Sequence, residues 1–167
     1  MPPQPADAPL RPPRGQIAAF ALDGRITVRQ DQTRNTANIA WRHSAGADDI
    51  LLTTPLGQGV AQLGRDARGA RLVSADKEVV EAPDWDELSA RVFGFVLPLS
   101  GMPRWLLGDV APVARDGRGR PAAALADGWD IRYLGYESDA AAALPVLMEL
   151  RRGDVELRLK VDEWRLE

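Results

Sequence analysis

Apolar and polar residues alternate with period two along most of the chain. Phe20, Leu22, Ile26 and Val28 share one parity, and Asp23, Arg25, Thr27 and Arg29 share the other. This is the pattern of a strand with one face on a core and the other in water. Gly24 interrupts the run and marks a bend. Polar residues 31–34 predict a turn, and residues 35–42 alternate again with Ala37, Ile39 and Trp41 on one face. A hairpin is predicted over 49–64. Ile50-Leu51-Leu52 and Val60 to Leu63 form its arms, and Thr54-Pro55-Leu56-Gly57 its turn. Pro55 presets φ for the second position of a tight turn, and Gly57 accepts positive φ. Strands over 69–74 and 78–80 follow.

The period then changes. Trp85, Leu88 and Val92 fall at helical spacings, Asp84 is a good N-cap with Glu87 three residues on, and Gly94 is placed to end the helix. Capping accounts for these acids better than a catalytic pair does. A second short helix is predicted over 100–107, with Pro103 in its first turn and Gly108 as its stop. Residues 115–121, with three arginines, read as a solvated loop. From Ala122 the strand period returns. Trp129, Ile131 and Tyr133 share a face, as do Val146, Met148 and Leu150. Val155, Leu157, Leu159 and Val161 alternate strictly, but Trp164 and Leu166 sit on the other parity, which predicts a bulge near Asp162-Glu163. The result is a many-stranded antiparallel sheet with one apolar face. Two short helices are too small to cover that face, so the sheet is expected to curl around a cavity.

The chain of 167 residues is expected to hold one domain, over residues 16–167. Six prolines within residues 1–15 predict a flexible or polyproline-like tether ahead of it. The net charge of −3 gives no electrostatic case for nucleic acid. The absence of cysteine excludes disulfides and thiol chemistry. No stretch approaches the roughly 20 apolar residues of a membrane-spanning helix. The single histidine, His43, reads as an exposed surface residue, and no zinc-type pairing, P-loop, dinucleotide fingerprint or nucleophile elbow is present. These observations favour a ligand-binding β-scaffold over an enzyme, with no metal and no cofactor expected. Leu56 is the odd residue. A leucine at a Pro-x-Gly tip either folds back on its hairpin or projects to meet something apolar.

An ordered set of short pieces resembles the LolB family of outer-membrane lipoprotein receptors. The pieces are Phe20-x-Leu22-Asp23-Gly24-Arg25, Ile39-x-Trp41, Leu51-x-x-x-Pro55-Leu56-Gly57, Leu97-Pro98-Leu99, Trp105-Leu106-Leu107-Gly108, Gly128-Trp129-x-Ile131-x-Tyr133, Leu144-Pro145 with Met148-x-Leu150, and Trp164-x-Leu166. The resemblance implies a mainly β fold with a small α part: a half-open antiparallel β-barrel of about eleven strands whose helices lid a hydrophobic cavity. It implies that the protein accepts triacylated lipoproteins from a periplasmic LolA-type carrier and places them in the inner leaflet of the outer membrane. Leu56, with Pro55 and Gly57, matches the family's membrane-insertion loop. The expected acyl-cavity residues are Phe20, Leu22, Ile26, Val28, Ile39, Trp41, Trp129, Ile131, Tyr133, Met148 and Leu150, with Phe93, Leu97 and Trp105 from the lid. A monomer is expected. The family is usually lipid-anchored through an N-terminal cysteine, so this chain is expected to begin past it. A soluble LolA-like carrier and a generic fatty-acid-binding module are the alternative readings.

Overall fold

The structure, a computed structural model, describes residues 19–56 and 59–166. The proline-rich stretch and Gly57 lie outside them. Eleven strands and two helices follow in the order β1 (Phe20–Gln30), β2 (Thr33–Ser44), β3 (Ala47–Thr53), β4 (Gly59–Asp66), β5 (Gly69–Ser74), β6 (Val79–Ala82), α1 (Trp85–Phe93), α2 (Met102–Leu106), β7 (Pro112–Arg115), β8 (Pro121–Ala126), β9 (Trp129–Tyr136), β10 (Pro145–Arg152) and β11 (Val155–Leu166).

All strands belong to one open antiparallel sheet, ordered β6-β5-β4-β3-β2-β1-β11-β10-β9-β8-β7. Each half is a meander of sequential hairpins, and β1 pairing with β11 joins them. The edges are β6 and β7, and the helical segment between them in sequence carries the chain from one edge to the other.

Local chemistry sets the breaks. The predicted bulge falls at Asp162: Asp23 pairs with Glu163 and Gly24 with Val161, leaving Asp162 over. Gly24 is required there, because a Cβ would stand 2.1 Å from the Lys160 carbonyl oxygen. The predicted turn over 31–34 is shorter, since Thr33 and Arg34 pair with Gln30 and Arg29. In α1, Asp84 Oδ1 accepts from the Glu87 N–H at 2.8 Å. Gly94 ends the helix at φ 81°, its N–H donating to the Ala90 carbonyl. The second helix is shorter than the predicted 100–107 but keeps Pro103 in its first turn.

One hydrophobic cluster unites both halves of the sheet with the helices. Leu88, Leu97, Leu99, Met102, Trp105 and Leu106 pack on the apolar sheet face, against Leu22, Trp41, Ile50, Trp129, Ile131 and Met148 among others. Val146, expected to share the face of Met148 and Leu150, is only partly buried, because the β9–β10 register slips on both sides of Leu147.

Candidate functional site

Leu56 is 90% exposed, the most exposed of the large hydrophobic residues described. It occupies the β3–β4 turn beside exposed Pro55. The Asn38 side-chain amide donates to the Thr54 carbonyl at 3.3 Å and ties the start of this loop to β2. Leu51 and Val60, on the two arms of the hairpin, are also partly exposed. Val79, at the start of β6, joins this end of the sheet through the β5–β6 turn, where the Ala75 N–H donates to the Val60 carbonyl.

Of the expected acyl-cavity residues, Phe20, Leu22, Ile39, Trp41, Leu97, Trp105, Trp129, Ile131, Tyr133, Met148 and Leu150 are buried in the shared cluster. Ile26, Val28 and Phe93 are half-buried against it. Over β1–β4 burial is graded from one end of the strands to the other. At the end where β2 meets β3, Trp41, Ile50 and Leu63 are sealed beneath the helices. Toward the Leu56 turn, Ile26, Val28, Leu52 and Ala61 are half-buried, as are Val92, Phe93 and Phe95 of the helical segment. Sequence reading missed Leu52 and Ala61, although both share parity with their buried neighbours Ile50 and Leu63. A polar bond crosses the layer: the Tyr133 hydroxyl donates to the Trp105 carbonyl at 2.6 Å, tying β9 to α2.

The end remote from Leu56 holds a buried polar network. His43 is not the exposed surface residue expected from sequence. Its side chain is 18% exposed, with Nδ1 2.6 Å from Asp48 Oδ1. Asp48 also accepts from Trp41 Nε1 at 2.9 Å and from Arg65 Nε and Nη2 at 2.9 and 2.8 Å. Three strands thus converge on one carboxylate, an arrangement with no local sequence motif. Trp85 Nε1, also on this side, is buried without a hydrogen-bond partner. No cluster of three His, Asp or Glu residues suited to a metal occurs among the described residues.

Two carboxyls elsewhere are shifted. A hydrogen bond with Asp154, then that residue's charge, holds Asp31 above the ordinary carboxylate range. At Asp116, burial pushes upward, but hydrogen bonds from the Arg118 N–H and from Arg120 outweigh it and the group is lowered. Arg120 also donates to the Ser138 and Ala140 carbonyls and lies over the Tyr136 ring, so this cluster fixes the β9–β10 connection.

An open antiparallel sheet with helices packed on its apolar face defines a half-barrel fold. A solved domain from Vibrio parahaemolyticus, assigned to outer membrane lipoprotein sorting, shares the fold. It is 10% identical with a TM-score of 0.50, over 91% of this chain and 86% of that one. A family model described as "Outer membrane lipoprotein LolB" matches residues 18–164. The Outer-membrane lipoprotein LolB of Nitrosomonas europaea is 38% identical over 87% of this chain and 72% of that protein. Those of Thiobacillus denitrificans and Dechloromonas aromatica are 38% and 37% identical, over 88% and 91% of this chain and 80% and 84% of their own lengths. The chain belongs to the LolB family. No helix among the described residues is long and apolar enough to cross a membrane.

Proposed function

We propose that this protein receives triacylated lipoproteins from a LolA-type carrier, holds their acyl chains against the inner face of the half-barrel, and inserts them into the inner leaflet of the outer membrane. It acts as a monomer at the periplasmic face. The observation that carries the reading is the coincidence of two features at one end of the sheet. The bare Leu56 turn stands at the end of β1–β4 where the inner apolar residues Ile26, Val28, Leu52 and Ala61 are only half-buried. Cargo released there meets whatever surface Leu56 has entered.

The energetics suit such a device. Each buried methylene contributes about 0.8 kcal/mol, so a long acyl chain holds on the order of 10 kcal/mol against water. Acyl chains therefore pass from one apolar surface to another rather than through solvent. Direction follows from graded affinity, with the carrier weakest and the bilayer strongest, and needs no hydrolysis. One inserted leucine gains roughly 1.5–3 kcal/mol, enough to bias contact with a bilayer and too little for permanent anchorage.

The test is transfer. A carrier loaded with lipoprotein is mixed with this protein, and a pull-down follows the cargo. The expected result is movement onto this chain. A folded chain that binds free fatty acid but leaves the loaded carrier untouched is a general lipid-binding module instead.

A further inference from the structure

The outer face of the sheet, turned away from the helices, is not evenly charged. On β1, β2 and β11, the positions of opposite parity to Ile26, Val28 and Leu159 form a small array at one end of the strands. Arg25 stands directly across from Lys160, and Arg29 directly across from Arg34. Thr27 lies between these rows, with Arg158 on one side and Thr36, 3.1 Å away between hydroxyl oxygens, on the other. Like charges placed directly opposite one another on neighbouring strands oppose pairing. Arg158 is neutralised by Glu149 at 3.4 Å. The one acid in the array, Glu156, pairs with Arg151. Arg25, Arg29, Arg34 and Lys160 are exposed and form no ion pair among the described residues. The whole chain carries a net charge of −3, so this gathering of cations is local.

We infer that this face docks on the headgroups of an anionic phospholipid bilayer, as the charged part of a contact whose apolar part is Leu56. The inference deepens the proposed function, on which the role of Leu56 rests. Position joins the two parts. Asn38, across from Arg25, is also across from Thr53, and its amide donates to the Thr54 carbonyl. The Leu56 turn therefore leaves the sheet in the row that carries Arg25 and Lys160, and runs on toward the row of Arg29 and Arg34. At about 4.8 Å per strand, Arg25 lies roughly 10 Å from Thr53. A leucine for the hydrocarbon and cations for the phosphates thus stand side by side, and interfacial binding draws on both. Chemistry separates this surface from one built for a protein. Protein interfaces are anchored by aromatic or apolar side chains at a centre depleted of charge. Here the uncharged members are Thr27, Thr36 and Asn38, with no such anchor among them. Phosphates need none. Asp31 and Asp154 lie beyond the array, in the turns at the strand ends, so the flat of the sheet rather than its tip meets the headgroups.

The experiment is cosedimentation of the purified chain with vesicles, without carrier or cargo. One set is phosphatidylcholine alone, and the other is phosphatidylcholine mixed with phosphatidylglycerol. Wild type should bind the anionic set more tightly, and salt should erase the difference. The double variant Arg25→Gln/Lys160→Gln should bind the anionic set roughly 10- to 30-fold more weakly, at about fivefold per cation, and the neutral set unchanged. Leu56→Ser should weaken binding to both sets. Removing a like-charge pair should leave the melting temperature no lower than wild type, which separates loss of binding from loss of fold, and Arg29→Gln/Arg34→Gln repeats the test at the second pair. Equal binding of wild type and both double variants to anionic vesicles, or no binding by wild type, overturns the inference. Either result leaves the receptor reading standing, because transfer from a loaded carrier tests that separately. Unchanged vesicle binding with a loss of salt-sensitive uptake from the carrier assigns the face to the carrier and also overturns the inference.

Discussion

Trp41 Nε1 donates to Asp48 Oδ1 at 2.9 Å, so the largest side chain on the inner face of β2 is held by a carboxylate on β3 that also binds Arg65 on β4. The side chain of Asp48 is 1% exposed and that of Arg65 is 30% exposed. Asp48→Ala leaves the indole and the guanidinium without their shared acceptor. Breaking a buried pair costs about 3–5 kcal/mol, and partial solvation of Arg65 places this loss near 3. Urea unfolding checks it, and a loss under about 1 kcal/mol would show that solvent replaces the network.

Leu56→Glu should leave stability within about 0.5 kcal/mol of wild type, as expected for an exposed turn residue. Uptake from the carrier should persist while delivery to liposomes falls by roughly 10- to 100-fold, the scale of one leucine's transfer. Unchanged delivery removes Leu56 from the mechanism.

Tyr133→Phe removes the bond to the Trp105 carbonyl, which keeps the Gly108 N–H as a donor. No carbonyl is orphaned, so the stability loss should be about 1 kcal/mol. Its location is the sharper readout. Amide exchange should speed up in α2 more than in β1 and β11, and uniform acceleration would deny the bond a role in holding α2 down.

Asp31 is held above the ordinary carboxylate range by Asp154. A raised carboxyl favours folding fully below its unfolded pKa, and that contribution is lost as pH rises through the raised value. The pair therefore opposes folding at neutral pH. Asp154→Asn should melt above wild type at pH 7, with the gap closing below about pH 4, where an ordinary aspartate is protonated. A gap independent of pH would assign the change to the turn rather than to charge.

Strands were legible wherever one face packs, because parity records that difference directly. The shift between Val161 and Trp164 even located the bulge at Asp162. The strand β7 left no such trace, since its residues are largely exposed and its register is irregular. The Asp48 network was invisible because its members lie on three strands and meet only through the register. Alternation also could not tell a packed interior from an open one. Trp41 and Ile131 are fully buried against the helices, while Ile26 and Val28, on the same face, are half-covered.

The sheet is joined at its centre by the first and last of the described strands, with residues 20–30 beside residues 155–166. Every other pairing links strands adjacent in sequence. The two meanders can therefore form locally and quickly, whereas the central seam must wait until β11 has been made. Until β11 is made, β1 has β2 on one side and lacks its β11 partner on the other, with Phe20, Leu22, Ile26 and Val28 along its apolar face. The newly made sheet is most open to aggregation until β11 arrives, so a truncation that removes β11 should do more harm to recovery of folded protein than its twelve residues suggest.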